Sequence, residues 1–423
     1  MKREHTSFYV TIPHHLCASV SLPASKSICN RALVINALSG GDRQVGNLSD
    51  CDDTSVMVSA LSEMPEVINI GAAGTAMRFL TAYLSVTEGA HVLTGTERMK
   101  QRPIGVLVEA LRSIGADISY VEKDGYPPLR ISGRQLNGGH LEISGDVSSQ
   151  YISALLMIGP VMREGLTLSL KGTIISRPYI DLTLRMMKEF GAKAGWIDAN
   201  TIRVEAAHYQ PIDYEVENDW SAASYWFEMV ATSEDPQAEV HLAGLKDDSG
   251  QGDAVIRDIF SRLGVVSNFC EHPSGRGKIL VIKKGGAVPE RLEWDFVTCP
   301  DLAQTMVVTC VLLGVHFRFS GLQSLKIKET DRIEALKREL EKLGYKVKDE
   351  DGRVMTWDGE RCEAMETPCI DTYEDHRMAM AFAPAANKLK GIVVNKPMVV
   401  TKSYPHFWEE VFVVEDRGAA EEK

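Results

Sequence analysis

The sequence predicts an α/β protein built by duplication of a smaller unit, and three observations point there. Amphipathic helical stretches recur, each closed by a glycine and followed by an alternating strand. Six other helical stretches are apolar on nearly every face. The 423 residues are enough for two or three domains with ordinary cores.

The amphipathic stretches come first. Arg102–Ile114 runs into Gly115, Pro178–Phe190 into Gly191, Asp253–Leu263 into Gly264, and Thr330–Leu343 into Gly344. Glycine just past a helix takes the left-handed backbone without a Cβ clash and so ends the helix. The four glycines stand 76, 73 and 80 residues apart, which reads as a duplicated module of about 75 residues. Pro103 is expected at the first position of its helix, where a missing N–H costs nothing.

The apolar stretches interleave with these. They begin at Ala24, Ala73, Val147, Asp219, Pro300 and Glu374, and from the second onward the starts lie 72 to 81 residues apart. Bodies such as Ala76–Leu84 and Ala154–Val161 are too apolar for a surface helix and predict burial all round. A buried helix exposes only its ends, and its N-terminus carries unpaired N–H groups and roughly half a positive charge. Six such ends turned to one cleft would bind an anion. Each contributes only about 0.3–1 kcal/mol, so charged side chains must add to them. Ser, Thr and Asp at these starts serve equally well as plain N-caps. Lys and Arg there do not, because the helix dipole favours cations at the other end.

Composition narrows the class. Charged residues make up 25% and apolar residues 44%, which is globular rather than disordered. Lys and Arg number 46 against 58 Asp and Glu, a net charge of −12 that disfavours sequence-independent nucleic-acid binding. The longest apolar stretch, Thr305–Phe317, is short of the roughly 20 residues that span a bilayer. Met1–Cys17 lacks an apolar run of signal-peptide type. The eight cysteines form no CxxC pair and no zinc spacing, so free thiols in a reducing cytoplasm are expected. The acidic tail after Glu415 is expected to fray.

Cations gather at the buried-helix starts. Pro23-Ala-Ser-Lys-Ser-Ile-Cys-Asn-Arg brings Lys26, Ser27 and Arg31 to one, with Arg31 one turn beyond Ser27. Gly71-Ala-Ala-Gly-Thr-Ala-Met-Arg offers backbone N–H groups to a close ligand or is only a tight turn. Arg98, Lys100 and Arg102 form a short basic loop, a pattern that is commonly solvated surface. Lys326-Ile-Lys-Glu-Thr-Asp-Arg clusters Lys328, Glu329 and Arg332 around a helix start, where Asp331 suits the dipole but the cations need another reason. Glu329, set among cations, should ionise readily, so proton transfer through it requires a ligand or burial. Tyr373-Glu-Asp-His-Arg repeats the theme with His376 and Arg377, and Lys402 follows in a loop near the end. There is no P-loop, no G-x-S-x-G elbow and no HExxH, and Gly275-Arg-Gly277 lacks a dinucleotide context. No metal or cofactor is expected.

Together these segments resemble the 5-enolpyruvylshikimate-3-phosphate synthase family of enolpyruvyl transferases, over essentially the whole chain. The likeness rests on Pro23–Arg31, Ala73-Gly-Thr-Ala-Met-Arg, Gln101-Arg-Pro-Ile-Gly, Ser148-Ser-Gln, Ser176-Arg-Pro-Tyr-Ile, Gln251-Gly-Asp, Pro300-Asp, Lys328-Glu-Thr-Asp-Arg and Asp375-His-Arg-Met-Ala, in the family's order. It implies a two-domain inside-out α/β barrel, each domain made of three similar modules around buried parallel helices. One domain would be residues 21–218 and the other 1–20 plus 219–423, with the chain crossing near 13–21 and 216–219 and the active site in the interdomain cleft. The implied reaction joins the 5-hydroxyl of shikimate 3-phosphate to C2 of phosphoenolpyruvate while C3 is protonated. Phosphate then leaves a tetrahedral adduct, a step on the route to chorismate and the aromatic amino acids.

By the same resemblance, Lys26, Ser27, Arg31, Ser148, Ser149, Gln150, Ser176, Asp301 and Lys328 hold shikimate 3-phosphate. Lys26, Gly74, Arg102, Gln150, Arg332, Arg377 and Lys402 hold phosphoenolpyruvate. Asp301 takes the hydroxyl proton, and Lys26 and Glu329 move protons at C3. A cytoplasmic monomer that closes on its substrates is implied. Departures stand at Ala72, often Asn in the family, at Phe79, often Pro, and at Ser324, often Asn; Ala72 bears on sensitivity to the inhibitor glyphosate. The related UDP-N-acetylglucosamine enolpyruvyl transferases carry a reactive Cys before Arg-Pro-Val, and 94–102 has none. A non-catalytic anion-binding scaffold would need the cations but not Asp301 and Glu329.

Overall fold

The computed structural model describes residues 7–40, 43–271, 278–389 and 391–416. The Gly275–Gly277 segment and the tail beyond 416 lie outside them. Two compact units emerge: Ala24–Glu217, and the described residues up to Pro23 together with those from Asn218 onward. Each has its own apolar core, one including Ala24 to Val216 and the other Val10 to Leu22 with Trp220 to Phe412. Where the chain passes between units its two segments are tied on either side. Ser25 N donates to Glu217 O at 2.8 Å, and Asp219 N to Pro23 O at 2.9 Å.

Among the described residues, five four-stranded sheets share one plan, mixed in strand direction. In one, Gly139–Ser144 runs parallel to Leu166–Lys171, Thr201–Val204 pairs antiparallel with the latter, and Ala194–Trp196 closes the edge. Parallel neighbours cannot be joined by a hairpin and need a crossover. The buried helix Ser149–Ile158 supplies it. The amphipathic helix Arg177–Glu189 then leads to the hairpin at the edge. The same order recurs for Val67–Asn69, Gly89–Thr94, Leu129–Gly133 and Asp117–Tyr120, and for Arg291–Asp295, His316–Ser320, Val354–Trp357 and Lys348–Glu350. The periodic helix–glycine–strand pattern is thus the second half of a β-α-β-α-β-β module. The glycines that close the helices have φ of +102° at Gly115, +81° at Gly191, +77° at Gly264 and +86° at Gly344.

Two sheets are assembled from distant chain. Cys17–Val20 runs parallel to Glu239–Ala243, so one whole unit is inserted between neighbouring strands. Ser7–Thr11 lies between Ile392–Asn395 and Val413–Asp416 and is antiparallel to both, joining the two ends of the chain. A sixth sheet is only the parallel pair Val45–Gly46 and Tyr214–Glu215.

The apolar segments form Lys26–Leu38, Gly74–Val86, Ser149–Ile158, Trp220–Thr232, Ala303–Leu313 and His376–Phe382. Every residue from Gly74 to Ser85 is buried, and so is every residue of Trp220–Thr232 except Ser221. Helix Gly74–Val86 runs unbroken through Phe79, where a proline would remove a backbone bond. Two local expectations fail. The helix after Arg102 starts at Gly105, capped by Ile104, and Pro103 stays outside it. The Pro103 carbonyl instead accepts from Arg78 Nη2 and Tyr151 OH, at 3.4 and 2.5 Å, which holds it in the loop. The stretch expected as one helix from Asp253 to Leu263 instead opens in a 3-10 turn, Gly252–Val255, before a short helix Ile256–Ser261.

Candidate active site

In the unit that carries both chain ends, three buried helices bring their N-termini together. Asp301 lies in the 3-10 turn Pro300–Leu302 that opens the helix Ala303–Leu313. Arg377 is the second residue of His376–Phe382, and Tyr225 sits in the first half of Trp220–Thr232. Arg377 joins all three: Nη2 is 3.1 Å from Asp301 Oδ2, and Nη1 donates to Tyr225 OH at 3.2 Å. Ser224 and Thr305 hydroxyls, 3.3 Å apart, pin the same ends.

Arg332 is the hub of the carboxylates. It opens the helix Arg332–Lys342, whose cap is Asp331, accepting from the N–H groups of Ile333 and Glu334. Only 1% exposed, Arg332 donates through Nε to Asp375 Oδ2 at 2.7 Å, through Nη1 to Asp301 Oδ1 at 3.2 Å, and through Nη2 to Glu329 Oε2 at 3.1 Å. Lys328 Nζ lies 3.5 Å from Asp301 Oδ1, and Lys402 Nζ donates to Glu329 Oε1 at 2.6 Å. Lys328, Arg332, Arg377 and Lys402 therefore meet Asp301, Glu329 and Asp375, four cations to three carboxylates, with one positive charge in excess. Burial works against an ionised Asp301, but Arg377, Lys328 and Arg332 override it and hold the carboxyl well below its usual range. Burial likewise opposes the charge on Arg332, and Asp375, Glu329 and Asp301 more than restore it. Tyr225 is pushed up to about 12 by burial and stays a neutral phenol.

In the other unit, Lys26 opens the helix Lys26–Leu38, and Nζ stands 3.7 Å from Asp53 Oδ2, a carboxylate 3% exposed. Arg31, 2% exposed, is the most inward cation. It donates to Thr183 Oγ1 at 2.7 Å, Ser153 Oγ at 3.1 Å and the Ser27 carbonyl at 2.8 Å, and lies over the Phe79 ring. Burial lowers its pKa to about 10, which leaves it charged at neutral pH. Gly74 opens Gly74–Val86, and a Cβ built on it would fall 2.6 Å from Arg102 Nη1. Gln150 Nε2 donates to Thr75 Oγ1 at 3.1 Å, which ties the starts of two buried helices. Ser148 caps Ser149–Ile158 by accepting from Gln150 N, and Ser176, at φ +54°, is the N-cap of Arg177–Glu189. This unit too gathers cations and helix N-termini, which is the composition of an anion site.

A profile of the EPSP synthases, described as 3-phosphoshikimate 1-carboxyvinyltransferases, matches residues 10–69 and 62–411. A 3-phosphoshikimate 1-carboxyvinyltransferase of Bacteroides fragilis is 57% identical over 404 residues, covering 96% of this chain and 97% of the relative. The chain belongs to the EPSP synthase family. It is an enzyme, an enolpyruvyl-transferring member of that family. A second relative of the same name, from Shewanella pealeana, is 35% identical over 421 residues, covering 93% of this chain and 95% of its own. The fold agrees as well. The EPSP synthase of Acinetobacter baumannii superposes with a TM-score of 0.77 at 20% identity, over 97% of this chain and 100% of that one. The enolpyruvyl transferase NikO of Streptomyces tendae gives 0.71 at 15%, over 98% and 99%. No helix among the described residues is long and apolar enough to cross a membrane.

Set against the EPSP synthase resemblance, the site residues fall into two groups. Asp301, Lys328, Glu329, Arg332, Arg377 and Lys402 are together in one unit; Lys26, Ser27, Arg31, Gly74, Arg102, Ser148, Ser149, Gln150 and Ser176 belong to the other. Sequence reasoning missed Asp53, Asp253, Tyr225, Ser153 and Thr183. Only Asp53, a second acid in Cys51-Asp-Asp-Thr, and Asp253, in Gln251-Gly-Asp, carried any signal. His376 is buried beside Asp375, at 3.8 Å from Nδ1 to Oδ1. Ser324 lies in the 3-10 turn Gln323–Ile327, and Ala72 is exposed just before the helix at Gly74.

Proposed function

We propose that this enzyme adds the 5-hydroxyl of shikimate 3-phosphate to C2 of phosphoenolpyruvate and then expels phosphate, using the two residue groups above in one reaction. One observation carries the roles: Asp301, only partly exposed, is held ionised by Arg377, Lys328 and Arg332. A carboxylate among cations is of no use to a pure anion binder, but it is a base where an alcohol must lose its proton beside an anionic partner. Asp301 takes the hydroxyl proton as the C–O bond forms. Glu329 and Lys26 serve the proton at C3. Glu329 accepts from Lys402 Nζ and Arg332 Nη2, the same cations that an incoming phosphate or carboxylate would claim. Lys26, Ser27, Arg31, Ser148, Ser149, Gln150, Ser176 and Lys328 serve shikimate 3-phosphate. Gly74, Arg102, Gln150, Arg332, Arg377 and Lys402 serve phosphoenolpyruvate. Charge-assisted hydrogen bonds of about 1.5–3 kcal/mol each make such a site effective within an acidic protein.

The buried helices wrapped by sheets fit the inside-out α/β barrel of three modules per domain, and the enzyme is read as a cytoplasmic monomer acting on small molecules. The test is direct. Purified enzyme should release phosphate only when both substrates are present. Lys26→Met and Glu329→Ala should fold and lose about 10²–10⁴ in turnover, the usual scale of acid–base help. Near-normal turnover in both variants would remove the proton roles. Binding without phosphate release in the parent enzyme would return the scaffold reading.

A further inference from the structure

Gln251-Gly-Asp is the one family segment to which no substrate role has been given, and its place is specific. Gln251 embraces the start of the buried helix Trp220–Thr232: Oε1 accepts from Trp220 N at 3.2 Å and Nε2 donates to Asn218 O at 2.8 Å. Asp253, two residues on, is 4% exposed. Its Oδ2 is hydrogen-bonded to the Ser221 hydroxyl, while Oδ1 is buried with no hydrogen-bond partner among the described residues. The charged and titratable neighbours are Asp301, Arg377, the capping Asp219 and the buried thiol of Cys299. Burial keeps that thiol neutral at about 12.

We propose that Asp253 is a positioning residue for Asp301 and Arg377: uncharged, it leaves Arg377 to Asp301 and to an arriving anion, and its ionisation sets an alkaline limit on substrate capture. This rests on the reading that Asp301 and Arg377 handle the substrates. A buried carboxylate with one hydroxyl partner and one bare oxygen is poorly stabilised, whereas a carboxylic acid can donate to Ser221 Oγ. Burial is the largest influence and the Asp301 charge the next, and together they outweigh Arg377 and raise Asp253 to about 7. Two neighbouring carboxyls are thus driven apart, one kept ionised and one kept neutral. Once ionised, Asp253 competes for Arg377 and repels a bound phosphate.

The experiment compares kcat/KM for phosphoenolpyruvate in the parent enzyme and Asp253→Asn at about pH 6 and about pH 8. Asparagine keeps the shape and a donor to Ser221 but cannot ionise. A group titrating near 7 loses about tenfold of its protonated fraction over that range. The ratio of variant to parent should therefore rise by about tenfold, mostly through KM, and substrate titration cancels because both enzymes share it. A ratio constant within about twofold, or a variant equally impaired at both pH values, overturns the proposal. Carboxyl carbon NMR of the parent gives an independent reading if the variant fails to fold. An aspartyl carboxyl should titrate between about pH 6 and 8 and be displaced in Ser221→Ala; absence of such a resonance overturns the proposal too. A parent enzyme with no turnover at any pH would instead refute the function above, and the NMR titration would still decide Asp253.

Discussion

Gly74 has no room for a β-carbon while Arg102 stays where it is. The intruding atom would lie 2.6 Å from Nη1, the far end of a flexible side chain, so the side chain gives way rather than the backbone. Gly74→Ala should therefore fold with an unfolding midpoint near that of the parent and raise KM for phosphoenolpyruvate several-fold. Thermal unfolding and steady-state kinetics check this together, and an unchanged KM would disconnect Arg102 from that substrate. Residue type alone made Lys26, Arg332 and Arg377 conspicuous, because cations at helix N-termini oppose the dipole. Their counter-ions were not conspicuous. Asp53 is 27 residues from Lys26 and Asp375 is 43 from Arg332, and nothing local in the chain couples such pairs. Phe79 likewise reads as one more core residue until the Arg31 guanidinium is found over its ring.

Helices that are apolar all round have nowhere to put a polar side chain, yet Trp220–Thr232 carries Glu228, fully buried. Burial raises it well above the usual carboxylate range. Neither of its carboxyl oxygens has a hydrogen-bond partner among the described residues, and the Thr309 hydroxyl donates to the Thr305 carbonyl instead. The sign follows from linkage: a folded-state pKa above the unfolded one means stability is fullest below the unfolded value and falls as pH rises towards the folded one. Glu228→Gln, neutral at every pH, should gain stability over the parent as pH rises from about 5 to about 8. Urea denaturation at both values checks it, and a parent–variant difference that does not change with pH would refute a neutral Glu228. At this scale the helix–glycine–strand period was legible because both its signals are local. Pro103 shows the limit. It favours a helix start in general, but the hydrogen bonds its carbonyl makes to Arg78 and Tyr151 come from elsewhere in the fold.

The whole chain is closed by its first strand. Ser7–Thr11 lies inside a sheet between Ile392–Asn395 and Val413–Asp416, with Val10 fully buried. Deleting residues 1–12 leaves two strands without their shared neighbour. The unfolding free energy from urea denaturation should fall by more than the burial of Val10 alone accounts for, about 1.5–3 kcal/mol. A truncated chain as stable as the parent would show that the sheet does not depend on that strand. Such long-range pairing is invisible in the sequence, as is the parallel match of Cys17–Val20 with Glu239–Ala243 across an inserted unit. Strand signals announce a strand and say nothing about which partner it takes.

By itself the sequence determined the α/β class, the module period, the buried helices and the family, with the cations and acids its motifs imply. These rest on composition, periodicity and short motifs, all of which act between near neighbours in the chain. Tertiary structure alone decided which carboxylate faces which cation, that Arg31 is turned inward, and that Asp253 lies beside Asp301. Those outcomes depend on burial and on charge acting through space, and a linear order of residues encodes neither until the chain has folded.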